Sequence, residues 1–213
     1  MRFFDLDHTL FKVNTSFCFG KYLYQQGVFS TPTMLRLIYC YALHTIGYLS
    51  IKELHETIFR FLFLGHPLTR FTSYLPHFID QLFNHHSFPP VLKHLREAQQ
   101  KGQLVAILSS SPDFLVQAIA QRLNVPYWLG TKYAVDNEGI LCEISHLVQA
   151  QEKKEQMQTM AREAGKCLSD SIAYSDSYLD LIFLRAAGKG VGVRPDRRLR
   201  TYCKQMSWDI IEE

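Results

Sequence analysis

The pattern of apolar and polar positions changes character twice along the chain. Residues 2–6, "RFFDL", read as a short strand. From about Val13 to His86 the apolar residues fall at helical spacing, with many aromatics and no convincing strand pattern. Helices are predicted over Ser16–Gln26, Pro32–Thr45, Ile51–Phe63 and Leu68–Asn84, punctuated by Gly27, Gly47 and "GHP". After "FPP" (88–90) an alternation begins. "LVAILS" (104–109) is a continuous apolar run of the buried-strand type. "SPDFLVQAIAQRLN" follows, with Phe114, Leu115, Ala118, Ile119 and Leu123 on one helical face. "YWLGTKYAV", the turn "DNEG" and "ILCEI" predict a strand and then a hairpin. Met157, Met160, Ala161 and Ala164 mark another helix, which Gly165 can end. "SIAYSD" is a strand, "SYLDLIFLRAAG" a helix and "GVGV" a last short strand. Such alternation predicts an α/β fold with a mostly parallel sheet covered on both faces, interrupted by a helical insert.

Composition narrows the class. The chain has 213 residues, 47% hydrophobic and 20% charged, which is ordinary for a soluble globular protein long enough to bury a sizeable core. A net charge of +3 implies no polyanion partner, so nucleic acid is not expected. The five cysteines are scattered and form no C-x-x-C pair, which fits a reducing compartment. Asp5 and Asp7 interrupt any signal-peptide core, so a cytoplasmic location is expected. The most apolar stretch, Met34 to Leu49, contains Arg36, His44 and Gly47. It falls short of a bilayer span and is expected to pack in a protein core rather than lie on a membrane surface.

In open parallel sheets, ligands bind beyond the carboxyl ends of the strands. After the first strand come Asp5 and Asp7. After "LVAIL" come Ser109, Ser110 and Ser111, with Pro112 expected to open a helix. After "SIAYS" come Asp176 and, one turn later, Asp180. Each cluster alone could be a loop or a helix cap. Jointly they fit phosphoryl transfer. A carboxylate can attack phosphorus, converging carboxylates can hold Mg²⁺ through oxygen, and N–H groups with a hydroxyl at a helix start can take phosphate oxygens. Lys153 or Lys154, at the head of its helix, would complete the charge balance. "HETIF" (55–59) lacks the second His of a zinc-protease motif, and the basic run from Arg194 to Lys204 reads as a solvated helix face.

These residues, in this order, resemble the haloacid dehalogenase superfamily of phosphohydrolases, in the subfamily IB branch that contains phosphoserine phosphatase. "DLDHT" (5–9) matches the D-x-D-x-T motif in full. Ser109 matches the second motif and Lys153 is favoured over Lys154 for the third. "SDSYLD" (175–180) matches G-D-S-x-x-D except that Ser175 replaces the Gly. The resemblance implies a Rossmann-like doubly wound core of residues 1–12 and 89–213, with a small C1-type helical cap over 13–88. It implies Asp5 as nucleophile and Mg²⁺ ligand. Asp7 would bind Mg²⁺ through its carbonyl and act as general acid and base, with a raised pKa. Thr9 would brace the loop, Ser109, Ser110 and Lys153 would hold phosphate, Asp176 would ligate the metal, and Asp180 would support it.

For substrate choice, the resemblance puts a Glu where this chain has Asn14, and Arg60 is the candidate for contacting a substrate carboxylate. An uncharged Asn14 argues against phosphoserine itself. Some relatives in the branch act on phospholipid head groups. The expected activity is Mg²⁺-dependent hydrolysis of a small phosphomonoester through an aspartyl-phosphate. A phosphotransferase, a phospholipid head-group phosphatase and a non-enzymatic binding protein are the alternatives, and the sequence leaves the oligomeric state open.

Overall fold

The structure is a computed structural model and describes residues 1–212. Strand β1 (Arg2–Phe4) leads into five consecutive helices: α1 (Thr15–Gln25), α2 (Thr31–Thr45), α3 (Ile51–Ile58), the short α4 (Thr69–Thr72) and α5 (Leu75–His86). The remainder alternates: α6 (Pro89–Gln100), β2 (Val105–Pro112), α7 (Asp113–Arg122), β3 (Tyr127–Val135), β4 (Leu141–His146), α8 (Ala150–Glu163), β5 (Ile172–Ser175), α9 (Leu181–Ala186), β6 (Lys189–Val193), α10 (Arg197–Gln205) and β7 (Asp209–Ile211).

The sheet has seven strands in the order β4-β3-β2-β1-β5-β6-β7. All neighbours run parallel except the β3–β4 hairpin. The fold is therefore the expected α/β class, doubly wound. β1 is central, pairing Phe3 with Ala106 on one side and with Ala173 on the other. Such a strand is buried on both faces, which is why "RFF" reads as a short apolar run rather than an alternating one. Phe4 stacks on Tyr174 of β5 with ring centroids 4.5 Å apart. One face of the sheet packs on Leu115, Ile119 and Leu95, and the other on Met157, Met160, Phe183 and Leu199. The chain leaves β1 for β2 on one side and comes back from β4 through α8 to β5 on the other, so the direction of winding switches at β1, where a crevice opens.

Several elements depart from the sequence reading, each for a local reason. The helix expected over Leu68–Asn84 is two, because α5 restarts with a proline in its first turn and Pro76 has no N–H to continue α4. The helix expected over Ile51–Phe63 ends its regular part at Ile58. Residues Phe59–Phe63 form a π-helical turn in which Leu64 N–H donates to Phe59 O at 2.9 Å. The helix expected to open at Pro112 begins one residue later, at Asp113. Strand β2 continues to Pro112, and Thr131 on β3 donates to Ser110 O at 2.6 Å, which keeps the serines extended. The stretch Met34–Leu49 is only half a core helix. Met34, Leu37 and Cys40 are buried, whereas Leu35, Ile38, Tyr39, Ile46 and Tyr48 are exposed. Helix α6 and strand β7 complete the sheet's flanks beyond the predicted elements.

Candidate active site

Asp5 follows β1 directly, and its N–H donates to Tyr174 O on β5 at 2.9 Å, so the strand pairing continues into the loop. The chain then turns sharply. Leu6 O accepts from the N–H of Leu10 at 3.0 Å, and His8 adopts φ 55°. That left-handed conformation is uncommon outside glycine, though histidine tolerates it better than most. The turn directs Asp5 and Asp7 into one cavity of about 680 Å³. Ser109, Ser110, Lys153, Asp176, Asp180 and Asn14 line the same cavity. Residues far apart in sequence thus meet at the carboxyl ends of β1, β2 and β5.

The centre of the site is Lys153, fully buried near the start of α8. Its Nζ donates to Asp5 Oδ1 at 2.7 Å and to Asp180 Oδ2 at 2.8 Å. It also lies 5.4 Å from the centroid of the Phe183 ring. Lys154 is half-buried. Thr9 is buried and its hydroxyl reaches Asp5 Oδ2 at 3.3 Å. Ser175 Oγ donates to Asp180 Oδ2 at 2.7 Å. The serine that stands in place of the expected glycine therefore has a use: it satisfies the second lone-pair demand on a buried carboxylate.

Asp7 belongs to a separate hydrogen-bond group. Its Oδ1 accepts from Thr15 N–H at 2.7 Å and from the Thr15 hydroxyl at 2.6 Å. Its Oδ2 accepts from Ser111 Oγ at 2.8 Å, and Ser111 in turn meets Ser16 Oγ at 2.6 Å. Ser111 N–H donates to Ser109 Oγ at 3.1 Å. Ser111 was placed with Ser109 and Ser110 at the strand end but given no role, and Thr15 and Ser16 were not singled out from the sequence. Their only signal was the repeated hydroxyl in "NTS" and "SSSP". Asn14 caps α1, accepting from Phe17 N–H at 2.8 Å, and its Nδ2 approaches Asp7 Oδ2 at 3.4 Å. Arg60 does not reach the site. It is exposed on the π-helical turn, while Ile58, Leu62 and Phe63 face the cavity. Residue 60 comes two positions after the cavity-lining Ile58, more than half a turn round the helix axis, so its side chain points away from the face that Ile51, Leu54 and His55 present to the cavity.

The electrostatics are unbalanced. Burial pushes the Asp5 carboxyl up to about 7 against the pull of Lys153, with Asp180 and Asp7 pushing the same way. Burial also drives Asp176 well above the usual carboxylate range, reinforced by Asp5 and Asp180. Lys153 is held above its ordinary value by Asp180 and Asp5, which outweigh its burial. One ammonium thus faces three carboxyls. Among the described residues no three His, Cys, Asp or Glu side chains form a metal-binding group. A Mg²⁺ site needs fewer, because this ion keeps several waters and takes one or two carboxylates plus phosphate oxygens. Asp5 and Asp176 with a main-chain oxygen fit that requirement, and the excess negative charge is what such an ion would offset.

A family model for haloacid dehalogenase-like hydrolases matches residues 3–185. The chain belongs to that family and is an enzyme of its hydrolase type. A phosphoserine phosphatase of Mycobacterium tuberculosis is 26% identical over 215 residues, covering 98% of this chain and 69% of the relative. Among solved structures, a protein of unknown function from Bordetella pertussis superposes with a TM-score of 0.87 at 20% identity, covering 100% of this chain and 97% of that one. A substrate-bound phosphoserine phosphatase gives a TM-score of 0.72 at 18% identity, covering 100% of this chain and 92% of the other. These two likenesses establish the shared fold.

Proposed function

We propose that the protein is a Mg²⁺-dependent phosphomonoester phosphatase that works through an aspartyl-phosphate on Asp5. The observation that carries this reading is the bidentate hold of Lys153 on Asp5 and Asp180 at the switch point, with Ser109 and Asp176 around the same cavity. The curated relative named phosphoserine phosphatase supports it.

Asp5 Oδ1 is fixed by Lys153, which leaves Oδ2, with its long contact to Thr9, as the attacking atom. In the first step Oδ2 forms a bond to phosphorus and the bond to the alcohol oxygen breaks. Asp7 delivers a proton to that oxygen, so the alcohol leaves neutral. In the second step Asp7 takes a proton from water, whose oxygen bonds to phosphorus as the Asp5–phosphorus bond breaks, regenerating the carboxylate. Lys153, Ser109 and Ser110 hold the phosphoryl oxygens through both steps. Asp5, Asp176 and the Asp7 carbonyl would hold Mg²⁺, which when bound offsets the repulsion between carboxylate and phosphate. Asp180 and Ser175 keep Lys153 in place. The helical segment 13–88 acts as a cap over the core of 1–12 and 89–213, excluding water during transfer. Five scattered cysteines with no disulfide framework support a cytoplasmic setting.

The test is turnover of p-nitrophenyl phosphate. Asp5→Asn should lose it while keeping its circular dichroism spectrum, and EDTA should abolish it reversibly. Near-normal turnover by Asp5→Asn would remove the nucleophile assignment. Phosphorylated acceptor in the products, when alcohols are added, would show a phosphotransferase instead.

A further inference from the structure

We propose that the substrate's alcohol part is a single long apolar chain, making the substrate class an amphiphilic phosphomonoester; this rests on the phosphatase reading above. The cavity of about 680 Å³ is of the size that takes a drug-sized ligand, far larger than a phosphoryl group with an amino-acid head. Its formal charges are confined to the strand-end pole, where Asp5, Asp7, Lys153, Asp176 and Asp180 stand. The remainder runs into the helical segment between Phe19, Leu23, Phe29, Leu37, Leu62 and Phe63. Apart from these, the polar lining on that side holds no Asp, Glu, Lys or Arg: it is Tyr41, Thr45, Tyr133, His44 and His55. Of the histidines, His55 lies 3.5 Å from the Tyr133 hydroxyl, and burial keeps its ring neutral at physiological pH.

An ammonium or carboxylate on the substrate would therefore be buried without an ion-pair partner, which is costly. Asn14 is uncharged and already committed as the cap of α1, and Arg60 is outside. A methylene chain has no such demand, and every methylene entering the cavity leaves water. Phosphate at one pole and a chain along the apolar wall satisfy both ends of the cavity at once.

The test is a series of n-alkyl phosphates from ethyl to dodecyl, each below its micelle concentration, with Mg²⁺. The expected result is a rise in kcat/KM of about fourfold per methylene, levelling once the chain fills the cavity. Ile58→Trp should lower the ratio of decyl to ethyl phosphate turnover by about tenfold or more by blocking the chain's path. A series flat with chain length, or phosphoserine preferred over decyl phosphate, would overturn the proposal while leaving a phosphatase in place. If the protein hydrolyses no phosphomonoester, the phosphatase reading fails, and calorimetry with alkylphosphonates decides this inference separately. Decylphosphonate binding at least about a hundredfold tighter than ethylphosphonate sustains it, and equal binding ends it.

Discussion

At the residue scale, the site places one buried cation between carboxylates, and each neighbour's role follows from that. Lys153→Met removes the cation and leaves Asp5 and Asp180 unpaired in the interior. Breaking a buried pair from one side typically costs about 3–5 kcal/mol. The expected outcome is a lower unfolding midpoint at pH 8, reduced loss at pH 5 where burial keeps the Asp5 carboxyl protonated, and no measurable turnover at either pH. Equal destabilisation at both pH values would mean that the lysine acts through packing alone. Ser175→Ala should be milder. It removes one hydrogen bond to Asp180 and is expected to cost about 1–3 kcal/mol of stability by urea titration, with Asp180 still held by Lys153. That Asp5, Ser109 and Asp176 meet in one cavity was legible because each follows an apolar run, and a strand end can be read from such a run. The meeting of Ser111 with Thr15 was not legible, because a hydroxyl's partner across 96 residues leaves no local pattern. Arg60 was suggested by the resemblance alone; it is exposed and lies outside the cavity lining, two positions after Ile58 and so on the opposite side of the helix.

At the element scale, the parallel core was legible because its strands are continuous apolar runs and its helices have one apolar stripe. The exceptions are short or masked. β7 is three residues long at the sheet edge, too short for a pattern. α6 carries Val91, Leu92, Leu95 and Ala98 on its buried stripe, but it opens on two prolines that read as a break, although proline is favoured in a first helical turn. Close approaches between elements make a sharper forecast. At Gly188, after α9, an added Cβ would stand 1.8 Å from the backbone oxygen of Ser169. Because the obstacle is backbone, it cannot rotate away. Gly188→Ala should cost about 1–3 kcal/mol, seen as a lowered urea midpoint with an unchanged slope. An unchanged midpoint would show that the 168–170 turn yields freely.

At the scale of the whole molecule, stability and function meet in the large cavity between the helical segment and the sheet. His55, on its wall, has its pKa lowered to about 4 by burial, with a small push from His44. The sign is fixed by linkage. Below about pH 6.5 the unfolded chain takes up a proton that the folded chain refuses, so this histidine's contribution to stability is level above that pH and falls as pH drops toward 4. At pH 5 the deficit is about 2 kcal/mol. His55→Gln should therefore lose less stability than the wild type between pH 7 and pH 5, compared by thermal unfolding. An identical pH dependence in the two proteins would mean that the ring titrates freely in the folded state.

The most direct measurement concerns the bond that the whole account turns on. Borohydride reduces an acyl phosphate on an aspartate to homoserine, so wild-type protein quenched during turnover of p-nitrophenyl phosphate with Mg²⁺ should carry homoserine at position 5 by peptide mass spectrometry. Homoserine at a different aspartate, or an unaltered Asp5 under conditions of rapid turnover, would contradict it.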